Sequence, residues 1–429
     1  MDKRYYPALD ETLYSQSLPN GLRIMVVPKE GFTKKFAYFA TDYGAVHTHF
    51  RFDGQDYQVP AGVAHYLEHK LFDLPGRDVS AEFAALGAAV NAFTSYDMTA
   101  YHFFTTENFE ACLRLLLEFV MNPYFTEESV EKERGIIDQE IGMNADDPTM
   151  RVFELLTEAM YDHPIRQPIL GTQEDIRRIT PQILTLCHRA FYTPANMMLC
   201  VVGDVDPLQV ASIAREVLGD EQHPAGQKLP FPQETMAVKQ PQISRQMDVA
   251  MPMFNLGFKA EPLGKGREAI FQEVVGDLAT EVLLGEASSL YLKLYDEGWI
   301  DSSFGGGFET IDGCALLNCS GDSDYPEAVR DAILAEAQRL CRDGIDETQF
   351  LRLKRSALGR RIRNLDNFDS TCFRLIAYKM TDFDYYHFPE VYQSVTTDHV
   401  QAFLERVVRP ERCSLAIIET LKEEPYESQ

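Results

Sequence analysis

The sequence has no long apolar run, no paired cysteine motif and comparatively few cationic side chains. No stretch approaches the roughly 18 apolar residues that a helix needs to cross a bilayer, so we expect no membrane insertion. The eight cysteines are dispersed without a C-x-x-C pair, and the start, MDKRYYPALDETLY, lacks the apolar segment of a secretory signal. Dispersed thiols without such a signal are typical of reduced, structural cysteines, which predicts a cytoplasmic protein.

Positive charge is scarce: 40 Lys and Arg stand against 66 Asp and Glu, which gives a formal net charge of −26. Affinity for phosphate groups depends on clustered cations, so this balance argues against a general binder of nucleic acid or anionic membranes. Hydrophobic residues make up 45% and charged residues 25% of the chain, an ordinary globular composition. The length of 429 residues predicts two or three domains with sizeable cores.

Strand-like and helical patterns alternate along the chain, which predicts an α+β fold. A stretch with four prolines, residues 221–241, predicts a linker between an N-terminal domain, 1–220, and a C-terminal domain, 242–429. The two halves resemble each other in two places. A proline precedes a short apolar strand at both Thr193–Asp204 and Arg409–Glu419, and Gly87 and Gly298 precede similar sextets, VNAFTS and WIDSSF. We therefore predict two homologous domains.

The first candidate site lies in Gly62–Phe72, GVAHYLEHKLF, for which we predict a helix over Val63–Leu74. At about 100° per residue, His65, Glu68 and His69 fall on one side of such a helix. Two imidazoles at positions i and i+4 can bind one ion, and the remaining residues are largely apolar. This is the H-x-x-E-H arrangement, although by chance it also occurs on solvated helix faces.

The second candidate lies in the helical pattern Thr126–Met143. Glu133 and Glu140 are separated by about 20° around the helix axis, and Ile136 and Ile137 lie on either side of that direction. Both carboxylates would thus occupy the apolar face, where burial costs several kcal/mol unless they are paired or bind a cation. The alternative is a rotated helix with solvated acids and exposed isoleucines.

Together the two helices supply a metal-ligand set. Zinc in hydrolases commonly takes three protein ligands and leaves a fourth position for water. His65, His69 and one of the two glutamates would form that set, and Glu68 would remain as the general base. The sequence therefore predicts one Zn²⁺ per chain at this place.

These motifs resemble those of the pitrilysin or insulinase family of zinc peptidases, whose signature is H-x-x-E-H followed later by E-x6-E. The segments NAFTSYDMTAYH (91–102), GTQEDI (171–176) and TPANMMLCVVGDVDP (193–207) are also similar to the family, so the resemblance spans essentially the whole chain. It implies that His65, His69 and Glu140 ligate zinc, that Glu68 is the base and that Glu133 supports the ligands. It also implies that Asn91, Ala92, Phe93 and Thr94 form an exposed edge strand to which a peptide substrate adds.

The implied fold is a pair of similar α/β domains with mixed, largely antiparallel sheets flanked by helices. In the family such a pair forms half of a clamshell around a closed chamber, which admits unfolded peptides. The implied function is therefore zinc-dependent endopeptidase activity on unfolded peptides.

One departure from the family concerns an Arg-x6-Tyr pair that helps to bind substrate. Tyr295 and Ser302 occupy those positions here, and neither offers a guanidinium. Because the chain also has the half-length form of the family, we predict a homologous partner subunit that lacks zinc ligands and supplies the pair. A heterodimer is the first expectation, and a homodimer is also consistent.

Two other functions remain open: a catalytically weak scaffold or peptide-binding subunit of a processing complex, and a zinc hydrolase with a non-peptide substrate. Four further features are interpreted as structural. They are a His47 and His49 pair at the surface, a backbone bend at Gly305–Gly307, a solvated basic helix face over Arg352–Arg363, and a core or interface segment over Phe383–Tyr392.

Overall fold

A computed structural model describes residues 1–421 of the chain. Its strands are β1 (Asp2–Tyr6), β2 (Glu11–Ser17), β3 (Arg23–Pro28), β4 (Lys35–Thr41), β5 (His49–Phe52), β6 (Gln55–Gln58), β7 (Asp73–Leu74), β8 (Arg77–Asp78), β9 (Ala88–Thr94), β10 (Thr99–Thr105), β11 (Met197–Gly203), β12 (Gln227–Lys228), β13 (Gln242–Met247), β14 (Met253–Ala260), β15 (Gly305–Ile311), β16 (Cys314–Asp322) and β17 (Cys413–Thr420).

The α-helices are α1 (Val63–Leu71), α2 (Val79–Ala85), α3 (Phe109–Met121), α4 (Glu127–Ala145), α5 (Pro148–Met160), α6 (Gln173–Arg177), α7 (Pro181–Phe191), α8 (Pro207–Leu218), α9 (Arg267–Leu284), α10 (Ser289–Asp296), α11 (Pro326–Asp343), α12 (Glu347–Arg363), α13 (Phe368–Met380), α14 (Phe388–Ser394) and α15 (Thr397–Val407). The predicted helix Val63–Leu74 is thus three residues too long. It ends at Leu71 because Asp73 and Leu74 pair with β8 across a turn at Gly76, whose φ is 68°.

The chain forms two compact units, and each contains residues from both sides of the predicted linker. Unit 1 comprises residues 1–141, 168–230 and 359–389, and unit 2 comprises residues 142–167, 231–358 and 390–421 of the part that the structure describes. Because each compact unit contains segments from both halves of the sequence, the predicted boundary at 221–241 does not coincide with a boundary between the units. The division into halves therefore remains a proposal about duplication of the sequence. No helix within residues 1–421 is long and apolar enough to cross a membrane.

Unit 1 is built on a seven-stranded sheet of order β1-β2-β3-β11-β4-β10-β9. Its central strand β11, MMLCVVG, is buried along its whole length, as a continuous apolar run between two neighbours should be. It runs parallel to β3 and antiparallel to β4. Strand β9 lies at the end of the sheet, and no strand within residues 1–421 pairs with its outer edge.

Unit 2 is built on a five-stranded sheet of order β13-β17-β14-β16-β15. Strand β17 runs parallel to β13 and antiparallel to β14, so this sheet repeats the order and directions of β3-β11-β4-β10-β9. A short 3-10 turn that begins with proline precedes β11 and also β17, at Pro194–Asn196 and Pro410–Arg412. The predicted fold class, two similar α/β domains with mixed and largely antiparallel sheets, is confirmed.

The second sequence match between the halves does not hold at the level of strands. Gly87 follows α2 with a φ of 77° and Gly298 follows α10 with a φ of 69°, so both glycines terminate helices. However, residues 90–95 lie largely in β9, whereas 299–304 precede β15. The predicted bend at Gly305–Gly307 is also wrong, because these residues begin β15. A Cβ on Gly306 would lie 2.7 Å from the Asn318 carbonyl oxygen of the paired strand, which explains the glycine there.

Candidate metal centre

Helix α1 carries the H-x-x-E-H motif, and close backbone packing fixes its start. Gly62 precedes the helix with a φ of 82°, and a Cβ there would lie 2.2 Å from the carbonyl oxygen of Leu170. Gly171 makes the reciprocal approach, since its Cβ would lie 2.7 Å from the Ala61 oxygen. The helix is almost wholly buried, as its apolar composition predicts, through Val63, Ala64, His65, Tyr66, Leu67, Lys70 and Leu71.

Helix α4 carries the two glutamates, and three hydrogen bonds from two side chains hold it in place. The buried Tyr66 hydroxyl of α1 donates to the Val130 carbonyl at 2.5 Å, which joins the two helices directly. Arg134 donates to the carbonyl oxygens of Ile176 and Ile179 at 3.3 and 3.0 Å.

The buried stripe of α4 is narrower than predicted. It consists of Val130, Glu133 and Ile137, whereas Ile136 is 47% exposed. The predicted apolar face on both sides of the glutamates is therefore wrong in part. A helix packed along one narrow line buries only the residues at i, i+3 and i+7.

The two helices bring His65, His69 and Glu140 together. The Nε2 atom of His65 lies 3.7 Å from Oε1 of Glu140, and Nε2 of His69 lies 3.5 Å from Oε2. One ligand atom from each of the three residues lies within 4.8 Å of the others. Tetrahedral ligands about 2.0–2.1 Å from a zinc ion stand roughly 3.3 Å apart, so the donor set fits one such ion.

Glu133 contacts the opposite nitrogen of one imidazole. Its Oε1 atom lies 3.0 Å from Nδ1 of His69, and the glutamate is buried. A proton on Nδ1 that is donated to this carboxylate leaves the lone pair of Nε2 directed at Glu140. A carboxylate behind a histidine ligand fixes the tautomer and ring orientation that metal binding requires.

The titration of the site reflects its burial. Burial and the neighbouring His69 lower the pKa of His65 to about 3, so this imidazole is neutral and available as a ligand. Burial opposes the charge of His69 as well, but the hydrogen bond to Glu133 and the surrounding carboxylates raise its pKa overall. Burial also raises the pKa of Glu68.

Glu68 lies at the junction between the metal-ligand group and the edge strand. Thr94, the last residue of β9, donates its hydroxyl to Oε2 of Glu68 at 2.7 Å. Asn91, Ala92, Phe93 and Thr94 all belong to β9, whose outer edge pairs with no strand within residues 1–421. Glu68 therefore connects the metal-ligand group to the end of this strand.

The remaining sequence features have other surroundings. Tyr295 and Ser302 are exposed in unit 2, on and just after α10. His47 is buried and its Nδ1 accepts a hydrogen bond from the Gly44 amide at 2.9 Å, whereas His49 is exposed. The expectation of a surface pair is therefore wrong for His47.

Most of Arg352–Arg363 is exposed on α12, but Arg361 is buried against the rings of Tyr378, Tyr385 and Phe388. Phe383–Tyr392 contributes mostly buried aromatic side chains, as predicted.

Sequence reasoning missed the residues that hold the helices in place. Tyr66 lies inside the motif but has the pattern of an ordinary core aromatic residue, while Gly62 and Gly171 carry no chemistry of their own. A glycine directly before an apolar helix is the signal that could have indicated a left-handed start. The direct bond from Thr94 to Glu68 had no sequence signal, because it depends on how the sheet packs on α1.

A fold of two similar α/β units and a His-His-Glu group beside a buried glutamate are features of a metallopeptidase family. The sequence profile of the insulinase family, peptidase family M16, matches residues 53–173, and that of the peptidase M16 inactive domain matches residues 178–357. The chain belongs to this pitrilysin/insulinase family.

Individual relatives agree with this assignment. The chain is 35% identical over 418 residues to the uncharacterized zinc protease YmfH of Bacillus subtilis (strain 168), which covers 96% of this chain and 97% of the relative. A solved structure described as an M16-like peptidase from Alicyclobacillus acidocaldarius has a TM-score of 0.92 and 32% identity, covering 96% and 99% of the two chains. Pitrilysin shares the fold, with a TM-score of 0.76 and 18% identity, and the match covers 99% of this chain and 46% of pitrilysin.

Proposed function

We propose that this chain is a zinc-dependent endopeptidase that hydrolyses unfolded peptides. The observation that carries the proposal is the convergence of His65, His69 and Glu140 beside Glu68, at the end of an open edge strand. The name of the Bacillus subtilis relative, a zinc protease, supports zinc as the metal. We assign the two histidines and Glu140 as ligands of one Zn²⁺ and Glu133 as the carboxylate that orients His69.

A zinc ion in this position would act as a Lewis acid that polarises the scissile carbonyl and acidifies water. The chain's own residues would do the proton transfer. Glu68 is held by Thr94 through one carboxylate oxygen, which leaves the other to take a proton from the attacking water. Burial raises the pKa of Glu68. A carboxylate with a raised pKa binds the proton more firmly and can afterwards donate it to the leaving amine.

The edge strand supplies the binding mode for the substrate. A peptide that adds to β9 would pair with the main chain of Asn91–Thr94 and would extend toward Glu68. Main-chain hydrogen bonds make few demands on sequence, but they require an extended segment. We therefore infer that unfolded peptides are the substrate class.

We further propose that a homologous subunit without zinc ligands completes the enzyme. Tyr295 and Ser302 cannot replace the arginine and tyrosine that the family resemblance implies, and this chain matches 46% of the pitrilysin chain. Two such subunits would form the clamshell chamber, most simply as a heterodimer. A cytoplasmic location belongs to the same proposal, because all eight cysteines are free.

The test is an assay with a fluorogenic unfolded peptide on the full chain, with and without chelator. Glu68→Gln should lower kcat/KM by about 10²–10⁴-fold, the usual contribution of a general base. Bound zinc should remain, because Glu68 is not among the proposed ligands. The matched control is Glu128→Gln on the exposed side of α4, which should hydrolyse normally.

Each outcome separates the three functions. Peptide binding without hydrolysis, with or without a partner, would support a peptide-binding subunit. Zinc-dependent hydrolysis of esters or other small substrates, but not of peptides, would support the non-peptide hydrolase. Hydrolysis that survives both chelator and Glu68→Gln would overturn the proposed mechanism.

A further inference from the structure

An aromatic row lies on one face of the unit 1 sheet, on the adjacent strands β4 and β10. The rings of Tyr38 and His102 stack with centroids 4.7 Å apart, and Phe36 stacks on His102 at 5.4 Å and on Phe104 at 6.4 Å. The planes of these successive pairs differ by only 9–18°. Burial lowers the pKa of His102, so its ring is present as a neutral member of the row.

The row ends in an exposed ring beside the edge strand. Phe104 is 44% exposed, whereas Phe36 and Tyr38 are buried. Phe104 pairs with Ala89 of β9, and His102 pairs with Asn91. Ala89 has a methyl group only and is itself exposed, so space remains beside the Phe104 ring at the outer edge of the sheet. The Lys34 ammonium lies 4.7 Å from the Phe104 centroid and covers part of the ring.

Strand geometry decides which substrate residue would meet this ring. In a strand added to β9, the residues opposite Phe93, Asn91 and Ala89 point to the face that carries the aromatic row, because opposite residues in a sheet share a face. The residue opposite Ala89 lies five positions from the residue opposite Thr94, or about 17 Å along the strand. It would lie over Ala89 and contact Phe104.

We propose that Ala89 and Phe104 form a specificity site for an aromatic or large aliphatic side chain about five residues from the cleaved bond of the substrate. This inference rests on the proposed peptide-binding edge of β9, but it does not require hydrolysis. Aromatic cross-strand contacts stabilise pairs by about 0.5–1.5 kcal/mol, which corresponds to a preference of about two- to tenfold.

The experiment uses extended peptides of glycine, serine and glutamine around one fixed cleavage site, with a single Phe moved along both sides. Wild-type chain should show an about two- to tenfold higher kcat/KM when Phe is about five residues from the cleaved bond, on one side only. Phe104→Ser should remove this preference because the contact is lost. Ala89→Phe should remove it because the space is filled. Tyr124→Ser, which removes a comparably exposed ring elsewhere in unit 1, should leave it unchanged.

A binding assay separates this site from the catalytic proposal. The same labelled peptides are titrated into Glu68→Gln chain and followed by fluorescence anisotropy. A position-dependent affinity that Phe104→Ser abolishes supports the site even if no peptide is hydrolysed. Equal affinity for all positions, or an unchanged preference in both variants, overturns the site even if hydrolysis proceeds. Self-association of the chain that Phe104→Ser abolishes would assign the ring to a dimer contact and also overturn it.

Discussion

At the scale of single residues, the two glutamates of the candidate metal centre differ in which histidine nitrogen atoms they face. Glu133 and Glu140 belong to one helix and lie two turns apart, yet the first contacts Nδ1 of His69 and the second faces both Nε2 atoms. The sequence placed both on one face and left open which of them binds metal. The contact with Nδ1 supports Glu133 as the orienting residue, since a carboxylate there stabilises the tautomer that binds metal through Nε2.

Glu133→Met should weaken zinc binding without removing a ligand. It keeps the length of the side chain but deprives His69 of its acceptor, and loss of such a partner typically costs about 10–100-fold in metal affinity. Competition with a chromophoric chelator measures this affinity, and Glu128→Met on the exposed side of α4 is the control. Equal zinc affinity in the two variants would show that Glu133 does not orient the imidazole.

His188 should make the stability of the chain depend on pH. Burial lowers its pKa from 6.5 to about 4, although its Nε2 contacts the Val120 carbonyl oxygen at 3.0 Å. As the pH falls, the unfolded chain therefore takes up this proton before the folded chain does. The stabilising contribution is complete above pH 6.5 and is lost between 6.5 and about 4, on the order of 3 kcal/mol in total.

Urea unfolding at about pH 7 and about pH 4.5 checks the predicted pH dependence, because these two values enclose most of the interval in which the contribution of His188 is lost. The wild-type chain should lose more unfolding free energy than His188→Gln over that interval, because the variant has no group that titrates at this position. The comparison between the two chains cancels the other acid-sensitive groups. A parallel loss in both would contradict the assignment of the pH dependence to His188.

At the scale of elements, helix α1 is positioned by an interlocked pair of glycines. Gly62 and Gly171 approach each other's neighbouring carbonyl groups so closely that neither can carry a side chain without displacement. Since His65 lies one turn from Gly62, a shift of the helix start moves a proposed ligand directly.

Gly62→Ala should therefore lower zinc affinity as well as stability. Gly76→Ala is the matched control, because Gly76 has a similar φ of 68° but a Cβ there would meet no atom within 4 Å. The control should lose only the left-handed backbone cost of about 1–2 kcal/mol and keep its zinc affinity. Gly62→Ala should unfold more easily than this control and bind zinc at least about tenfold more weakly, since a shift worth about 1.4 kcal/mol suffices. Equal effects of both substitutions would contradict a positioning role of the glycine pair.

The helices and strands also show which element bounds a local sequence pattern can predict. Helix α4, predicted over Thr126–Met143, is observed over Glu127–Ala145, because its sequence follows the helical period over nearly its whole length. The end of α1 and the strand at Gly305–Gly307 were predicted wrongly. In both cases pairing with the following strand decides the conformation, and neither the helical pattern nor the run of glycines indicates such a partner.

At the scale of the whole molecule, each compact unit includes a helix from the other half of the sequence. Helix α13 packs on β11 and β4 in unit 1, and α5 packs on β14 and β17 in unit 2. Residues 1–220 alone would therefore leave one face of the first sheet without its helix. Experiments on this protein should use the full chain, since a fragment cut at the predicted linker would expose apolar surface.

The missing Arg and Tyr predict that the isolated chain is a poor enzyme. Addition of a homologous, zinc-free subunit should raise kcat/KM by about tenfold or more, since one charged hydrogen bond to a substrate is worth about 1.5–3 kcal/mol. Size-exclusion chromatography of the mixture should show the complex, and the fluorogenic peptide assay should show the rise. Full activity of the purified chain alone, with no effect of any homologous subunit, would refute the need for a partner.

The sequence by itself determined the family and predicted the type of chemistry. Two histidines one turn apart, a glutamate between them and two glutamates on a second helix predict a ligand set and a base, because helix periodicity fixes which side chains share a face. The alternation of strands and helices likewise predicted the fold class. Tertiary structure alone decided that Glu133 contacts Nδ1 of His69 and that Thr94 donates its hydroxyl to Glu68. These contacts join residues far apart in the chain, so they depend on sheet order and helix packing, which no local pattern encodes.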